Sequence, residues 1–299
     1  MGGKMIPKKR KKIRVFDTGV AAITIFLVVI VMYPVIYVIS CSFSSPALVA
    51  AGKVILWPRG LTLLGYQRVF QDSGILTGYA NSLFYTAVGT LINMIVTIPA
   101  GYVLVKSQVP GVKIFMKIFL FTMYFSGGLI PTFLLVKSLG LYNTRRVLLI
   151  LGAFSTYNCI ICRSFFAGLP KELEEAAHID GCSVIRTFMT IVLPLSKALL
   201  GVMVLYFGVA HWNSYFNAMI YTYDKEIQPL QLVLRRILVL EQTNSAMMGD
   251  SGDYMAEQQH LAELIKYAVI VVSSLPLMII YPFLQKYFEK GVMIGSVKG

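Results

Sequence analysis

From Thr18 to Ser40 the chain runs for 23 residues without a charged side chain, and nearly all of them are apolar. As a helix rising 1.5 Å per residue, such a run spans the roughly 30 Å hydrocarbon layer of a bilayer. A helix satisfies its amides and carbonyls within the segment, as lipid requires. Comparable runs follow at 81–105, 118–136, 147–166, 198–223 and 267–285. The expectation is therefore an all-α membrane protein with six transmembrane helices in one domain over 18–289. Composition agrees: 57% of the 299 residues are hydrophobic, 14% are charged, and mean hydropathy is +0.70. In water such a chain would expose far more apolar surface than a soluble monomer carries. The first run exceeds the apolar region of a signal peptide, so a retained first span is expected. Pro34 and the length of the run also argue against reading Val38-Ile39-Ser40-Cys41 as a lipoprotein cleavage box.

Charge sets the orientation. The segment 1–17 is a basic N-terminus, with seven of the 27 Lys and Arg residues among its first fourteen positions. With that end inside, the inner segments hold 17 basic residues and the outer segments, with the start of span six, hold ten. This bias places both termini in the cytoplasm. The net charge of +13 then faces anionic lipid rather than nucleic acid. Cys159 and Cys162 have CxxC spacing but no second ligand pair, which reads as small buried hydrophobes beside Cys41 and Cys182. Neither a phosphate-binding G-x-x-x-x-G-K-[ST], a zinc-spaced His/Cys set nor a G-x-S-x-G occurs, so catalysis is not expected of this chain. Residues 41–79 read as a mixed connection and 224–263 as a long acidic loop.

The stretch 169–195, LPKELEEAAHIDGCSVIRTFMTIVLPL, stands apart. Between two apolar spans it carries four acids (Glu172, Glu174, Glu175, Asp180) together with Lys171, His178 and Arg186. Pro170 suits a first helical position and the glutamates complement a helix N-terminus. Gly181 ends that helix, a second begins near Ile185, and Leu193-Pro194 closes it. The inner-side assignment puts this helix–turn–helix at the cytoplasmic surface.

Glu175-Ala176-Ala177, three residues, Gly181, nine residues and Ile191-x-Leu193-Pro194 resemble the EAA loop of ABC-importer permease subunits. Other segments resemble the maltose-type carbohydrate permeases: WPRGLTLLGYQRVF after Trp57, Leu139 to Thr144, and the tail KYFEKGVMIGSVKG. PLQLVLRRILVL at 229–240 resembles the branch associated with oligosaccharides from complex polysaccharides. The resemblance implies the type I ABC importer permease fold with a cytoplasmic coupling helix in a bacterial inner membrane. It assigns ATPase coupling to Glu175, Ala176, Ala177, Asp180, Gly181, Leu193 and Pro194, and a tail contact with the ATPase to Gly291, Gly295 and Ser296. It implies a heterodimer with a second permease, two ATPase subunits holding ATP and Mg, and an extracytoplasmic solute-binding protein, with no cofactor on this chain. Tyr124, Asn158, Trp212, Asn213 and Tyr215, with Ser126, Tyr206 and Asn217, suit a sugar pathway, where rings stack on sugar faces and amides meet hydroxyls. They equally suit packing and hydrogen bonding between helices. A secondary transporter would need acids inside its spans, and these spans carry none. A membrane scaffold, or a permease of the same class for another solute, remains the alternative.

Overall fold

A computed structural model describes residues 15–106, 108–247 and 264–282. Residues 1–14 and the tail positions Gly291, Gly295 and Ser296 lie outside the described residues. Among the latter the chain is helical, with no strand: α1 Val15–Ser42, α2 Pro46–Ala50, α3 Leu64–Gln71, α4 Ser73–Val103, α5 Val112–Tyr124, α6 Leu129–Ser138, α7 Arg145–Ile150, α8 Thr156–Ala167, α9 Lys171–Ile179, α10 Val184–Leu195, α11 Lys197–Trp212, α12 Phe216–Tyr221, α13 Leu230–Met247 and α14 Leu264–Pro282.

Three of these helices (α1 from Asp17, α4 and α14) are each long and apolar enough to cross a membrane. Two more crossings arise if the pairs α5/α6, bent by 115°, and α10/α11, bent by 83°, each count as one. The expected span 147–166 is two helices, α7 and α8, separated at 151–155. Gly152 lies in the interruption, and the Ser155 side chain accepts from the Asn158 amide to start α8 afresh. The carbonyl of Gly152, freed by the break, accepts from the Asn93 amide of α4 at 2.5 Å. A broken backbone is tolerated at membrane depth when a neighbour satisfies it in this way.

Four other boundaries differ from expectation. Helix α4 begins at Ser73 rather than Asn81, because Asp72 caps it by accepting from Gly74 and Ile75 amides at 2.8 and 3.1 Å. The connection 41–79 contains α2 and α3. The span expected over 198–223 ends at Trp212, and α12 follows. The expected acidic loop contains α13, an 18-residue helix whose Leu230, Leu232 and Leu234 are buried. Burial of those leucines outweighs the loop-like charge of the segment.

The described residues divide into two compact units, 15–68 with 264–271 and 69–247 with 272–282. In the first, Cys41, Val49, Val54 and Tyr267 are buried together, and Tyr37 meets the Tyr267 ring edge-on at 6.0 Å between centroids. Over 17–36, α1 is exposed on every side.

The second unit is built around α4, which at 31 residues is about 45 Å long. Asn81, Tyr85, Gly89, Asn93, Thr97 and Gly101 recur every fourth position on one buried stripe. Small and polar residues at that spacing let helices approach closely and bond across the contact. A Cβ at Gly89 would stand 2.5 Å from the His211 ring of α11, and one at Gly101 2.6 Å from the Cys162 side chain of α8. Near the start of α4, Gly78 leaves room for the Leu230 backbone of α13, and the Ser82 hydroxyl accepts from the Leu230 amide at 2.9 Å. Asn93 also accepts from His211 Nε2 at 2.7 Å; since its amide nitrogen donates to Gly152, that imidazole nitrogen carries the proton.

Candidate functional site

Helix α9 begins after Pro170, which stands just outside the helix rather than at its first position. Glu172 and Glu174 occupy the first turn, where negative charge faces the free amides. At the other end Gly181 adopts φ 74°, a left-handed turn that an L side chain enters at about 1–2 kcal/mol. Its amide donates to His178 O at 3.1 Å, and the Cys182 amide donates to Ala177 O at 2.9 Å, closing the helix. Ser183 then caps α10 through the Arg186 amide.

Helix α10 does not close at Leu193-Pro194; it continues through Pro194 to Leu195. Proline lacks the amide that a regular turn would use. Residues 188–192 widen to a π turn, with the Leu193 amide donating to Phe188 O, and the ladder passes the proline without a break. Ser196, fully buried, ends the helix: its amide donates to Val192 O at 3.1 Å and Leu193 O at 3.0 Å, and its hydroxyl to Val192 O at 2.7 Å. Helix α11 departs from that corner.

The stretch is anchored to the membrane helices at two points, and a third contact braces the helix ends beside it. Phe188 and Val192 enter a core with Ile98, Tyr102, Phe166, Leu199 and Met203, and the Phe188 and Tyr102 rings lie 4.9 Å apart. Glu174 pairs with Lys106, whose ammonium sits 4.6 Å from the Tyr102 ring centroid. Burial pushes the Lys106 ammonium below its ordinary pKa. Arg163 donates to Leu104 O at 3.2 Å, tying the end of α8 to the end of α4.

The two alanines of the EAA pattern part company. Ala177 is buried in its own chain, whereas Ala176 is exposed, as are Glu175, Asp180, Gly181 and Pro194; Leu193 is half-buried. Around Ala176 and Gly181 the stretch also presents Ile179 at 87% and Ile185 at 74% exposure, with Leu173, Val184 and Met189. Exposed apolar residues rimmed by charge suit a contact with a protein or with the membrane surface.

The residues expected in the pathway differ in their surroundings. Trp212 is buried, its ring 5.6 Å edge-on from Tyr79 and its N–H donating to Ser273 O at 3.0 Å. Asn158 is buried as well. Tyr124 is 87% exposed at the corner between α5 and α6. Asn213 and Tyr215 are exposed at the C-terminal end of α11, the end opposite the corner at Ser196. The sequence reading missed Phe188 and Val192 as anchors, although their apolar spacing on α10 was visible. It also missed Asn93 with His211, whose partners lie 59 and 118 positions away from Asn93.

Residues 73–294 match the family described as binding-protein-dependent transport system inner membrane component. Protein LplC of Bacillus subtilis (strain 168) is 42% identical over 293 residues, covering 96% of each chain. The polygalacturonan/rhamnogalacturonan transport system permease protein YtcP of the same organism is 38% identical, over 96% of this chain and 100% of that one. A chain from the crystal structure of a bacterial ABC transporter involved in the import of the acidic polysaccharide alginate superposes with TM-score 0.83 at 33% identity, covering 95% of this chain and 100% of its own.

Proposed function

We propose, because this chain belongs to the binding-protein-dependent transport system inner membrane component family and is a permease subunit of an ABC importer, that it forms half of the path by which an oligosaccharide enters the cell. The observation that carries the cargo is end-to-end similarity to a permease named for polygalacturonan and rhamnogalacturonan. A second permease completes the path, a solute-binding protein delivers the sugar outside, and two ATPase subunits drive the cycle inside.

The geometry supports a lever. The patch of Leu173, Ala176, Ile179, Gly181 and Ile185 docks on the ATPase, with Glu175 and Asp180 at its rim. Motion of α9 and α10 passes through the buried corner at Ser196 into α11, whose far end carries Asn213 and Tyr215. Helix α11 packs along α4, so a push on the cytoplasmic side reaches the opposite face through two packed rods. The π turn over 188–192 keeps α10 continuous past Leu193 and Pro194 up to that corner. The tail residues Gly291, Gly295 and Ser296 reach the ATPase dimer. Both termini are cytoplasmic and the chain crosses six times, with α7 and α8 together forming the fourth crossing.

Two experiments test this. Single cysteines at Gln108 and Gln242 should label from opposite sides of the membrane with an impermeant reagent; labelling from the same side contradicts the topology. Proteoliposomes containing both permeases, the ATPase and the binding protein should take up an oligosaccharide only with ATP inside and binding protein outside. If a panel of oligosaccharides is refused while a non-sugar solute is taken up, the cargo reading is wrong.

A further inference from the structure

The segment 224–235 is held against the start of α4, at the opposite end of that helix from Lys106 and α9. Asn81 donates to the carbonyls of Glu226 and Gln228 at 2.8 and 3.1 Å, and the Tyr85 hydroxyl donates to Ile227 O at 2.7 Å. Three arginines stand around this anchored segment, and two of them have oxygen acceptors: Arg145 donates to Asn81 Oδ1 at 3.1 Å, and Arg236 donates to Gln228 Oε1. Arg235 differs. It is exposed on α13, its guanidinium carbon lies 4.9 Å from the Tyr215 ring centroid, and among the described residues its one hydrogen-bond acceptor is the Met219 sulfur at 3.0 Å. Among the described residues no carboxylate lies within ion-pair distance of it.

A guanidinium lying over a ring keeps its N–H groups in its own plane, directed past the ring edge, where they suit a bidentate carboxylate. Thioether sulfur is a weak acceptor and occupies one nitrogen only. Tyr215 is itself exposed, so the pair offers an accessible aromatic ring beside a cationic fork that has no carboxylate partner among the described residues. That combination matches a uronic acid unit, which carries a carboxylate next to an apolar C–H face. A neutral sugar would gain from the ring alone.

We infer that Arg235, held over Tyr215, receives the carboxylate of an acidic oligosaccharide at the extracytoplasmic end of the path, and so sets a preference for uronic-acid cargo. This rests on the reading of the chain as an oligosaccharide permease. It agrees with the acidic polysaccharide named for the structural relative.

The test uses the complete importer in proteoliposomes with its binding protein, and two probes: a trisaccharide of uronic acids and the same trisaccharide with its carboxyls reduced to primary alcohols. Wild-type complex should favour the acidic probe. Arg235→Gln should lower uptake of the acidic probe by roughly 10- to 100-fold, the loss of a charge-assisted fork, and leave the neutral probe within about twofold. Arg235→Lys, a point charge without the fork, should fall between them. An unchanged acidic-to-neutral ratio in Arg235→Gln, whether both rates fall or neither does, overturns the inference and assigns Arg235 to structure or to binding-protein docking. Wild-type uptake of neither probe overturns the oligosaccharide reading itself, and this inference with it.

Discussion

Helices α1 and α4 are alike in length and both long enough to span a bilayer, yet their surroundings are opposite. Helix α1 is exposed on every side over 17–36, and a Cβ at its Gly19 would have nothing within 4 Å. Helix α4 carries a buried stripe from Asn81 to Gly101 that receives α13, α11 and α8 in turn. Lipid is as apolar as leucine, so apolar side chains alone give helices no reason to associate. Close approach and interhelical hydrogen bonds supply that reason in α4. Helix α1, with neither over 17–36, presents a surface suited to lipid or to another subunit.

Substitutions at the glycines should separate the two helices most. Gly89→Ala and Gly101→Ala place a methyl against the His211 ring and the Cys162 Cβ, contacts that must shift. Each is expected to destabilise by about 2–3 kcal/mol, as overpacking does, read as a lower thermal unfolding midpoint in detergent. Asn93→Leu comes next. It strands the Gly152 carbonyl and the His211 N–H, at about 1–3 kcal/mol, and His211→Leu on top of it should add less than its own single effect. Gly19→Ala in α1 is the smallest, neutral or stabilising by less than about 1 kcal/mol, because it only improves helix propensity. If Gly19→Ala were as damaging as Gly89→Ala, the contrast between the helices would fail.

Much of this was legible beforehand. Uncharged length announced α1, α4 and α14, since hydropathy reports what lipid accepts. It does not report backbone continuity: Leu151 to Ser155 is nearly as apolar as its flanks, so the break between α7 and α8 passed unseen. Ser155 and Asn158, a cap and its recipient, were the available signal. Helix α13 was hidden because charge suggests a loop, while burial of Leu230 depends on Gly78, far away in sequence. Over 169–195, the sequence pattern marked two helices and the turn at Gly181, but only the fold divides Ala176 from Ala177. Neighbours one residue apart on a helix point about 100° apart, and which one faces inward follows from the anchors at Glu174, Phe188 and Val192.

That division fixes the decisive variant. Ala177→Asp would bury a charge in the permease itself and confuse folding with coupling. Ala176→Asp changes only the exposed patch, where a docked partner would desolvate the carboxylate at several kcal/mol. The measurement is ATP hydrolysis by the reconstituted importer, with and without loaded binding protein, alongside the ATPase recovered with the permease. Ala176→Asp should insert and pair with its partner permease at wild-type yield, and lose ATPase attachment or stimulation by at least about tenfold. Wild-type stimulation with wild-type ATPase recovery would mean that α9 and α10 merely connect two spans, and would contradict the coupling role assigned to them.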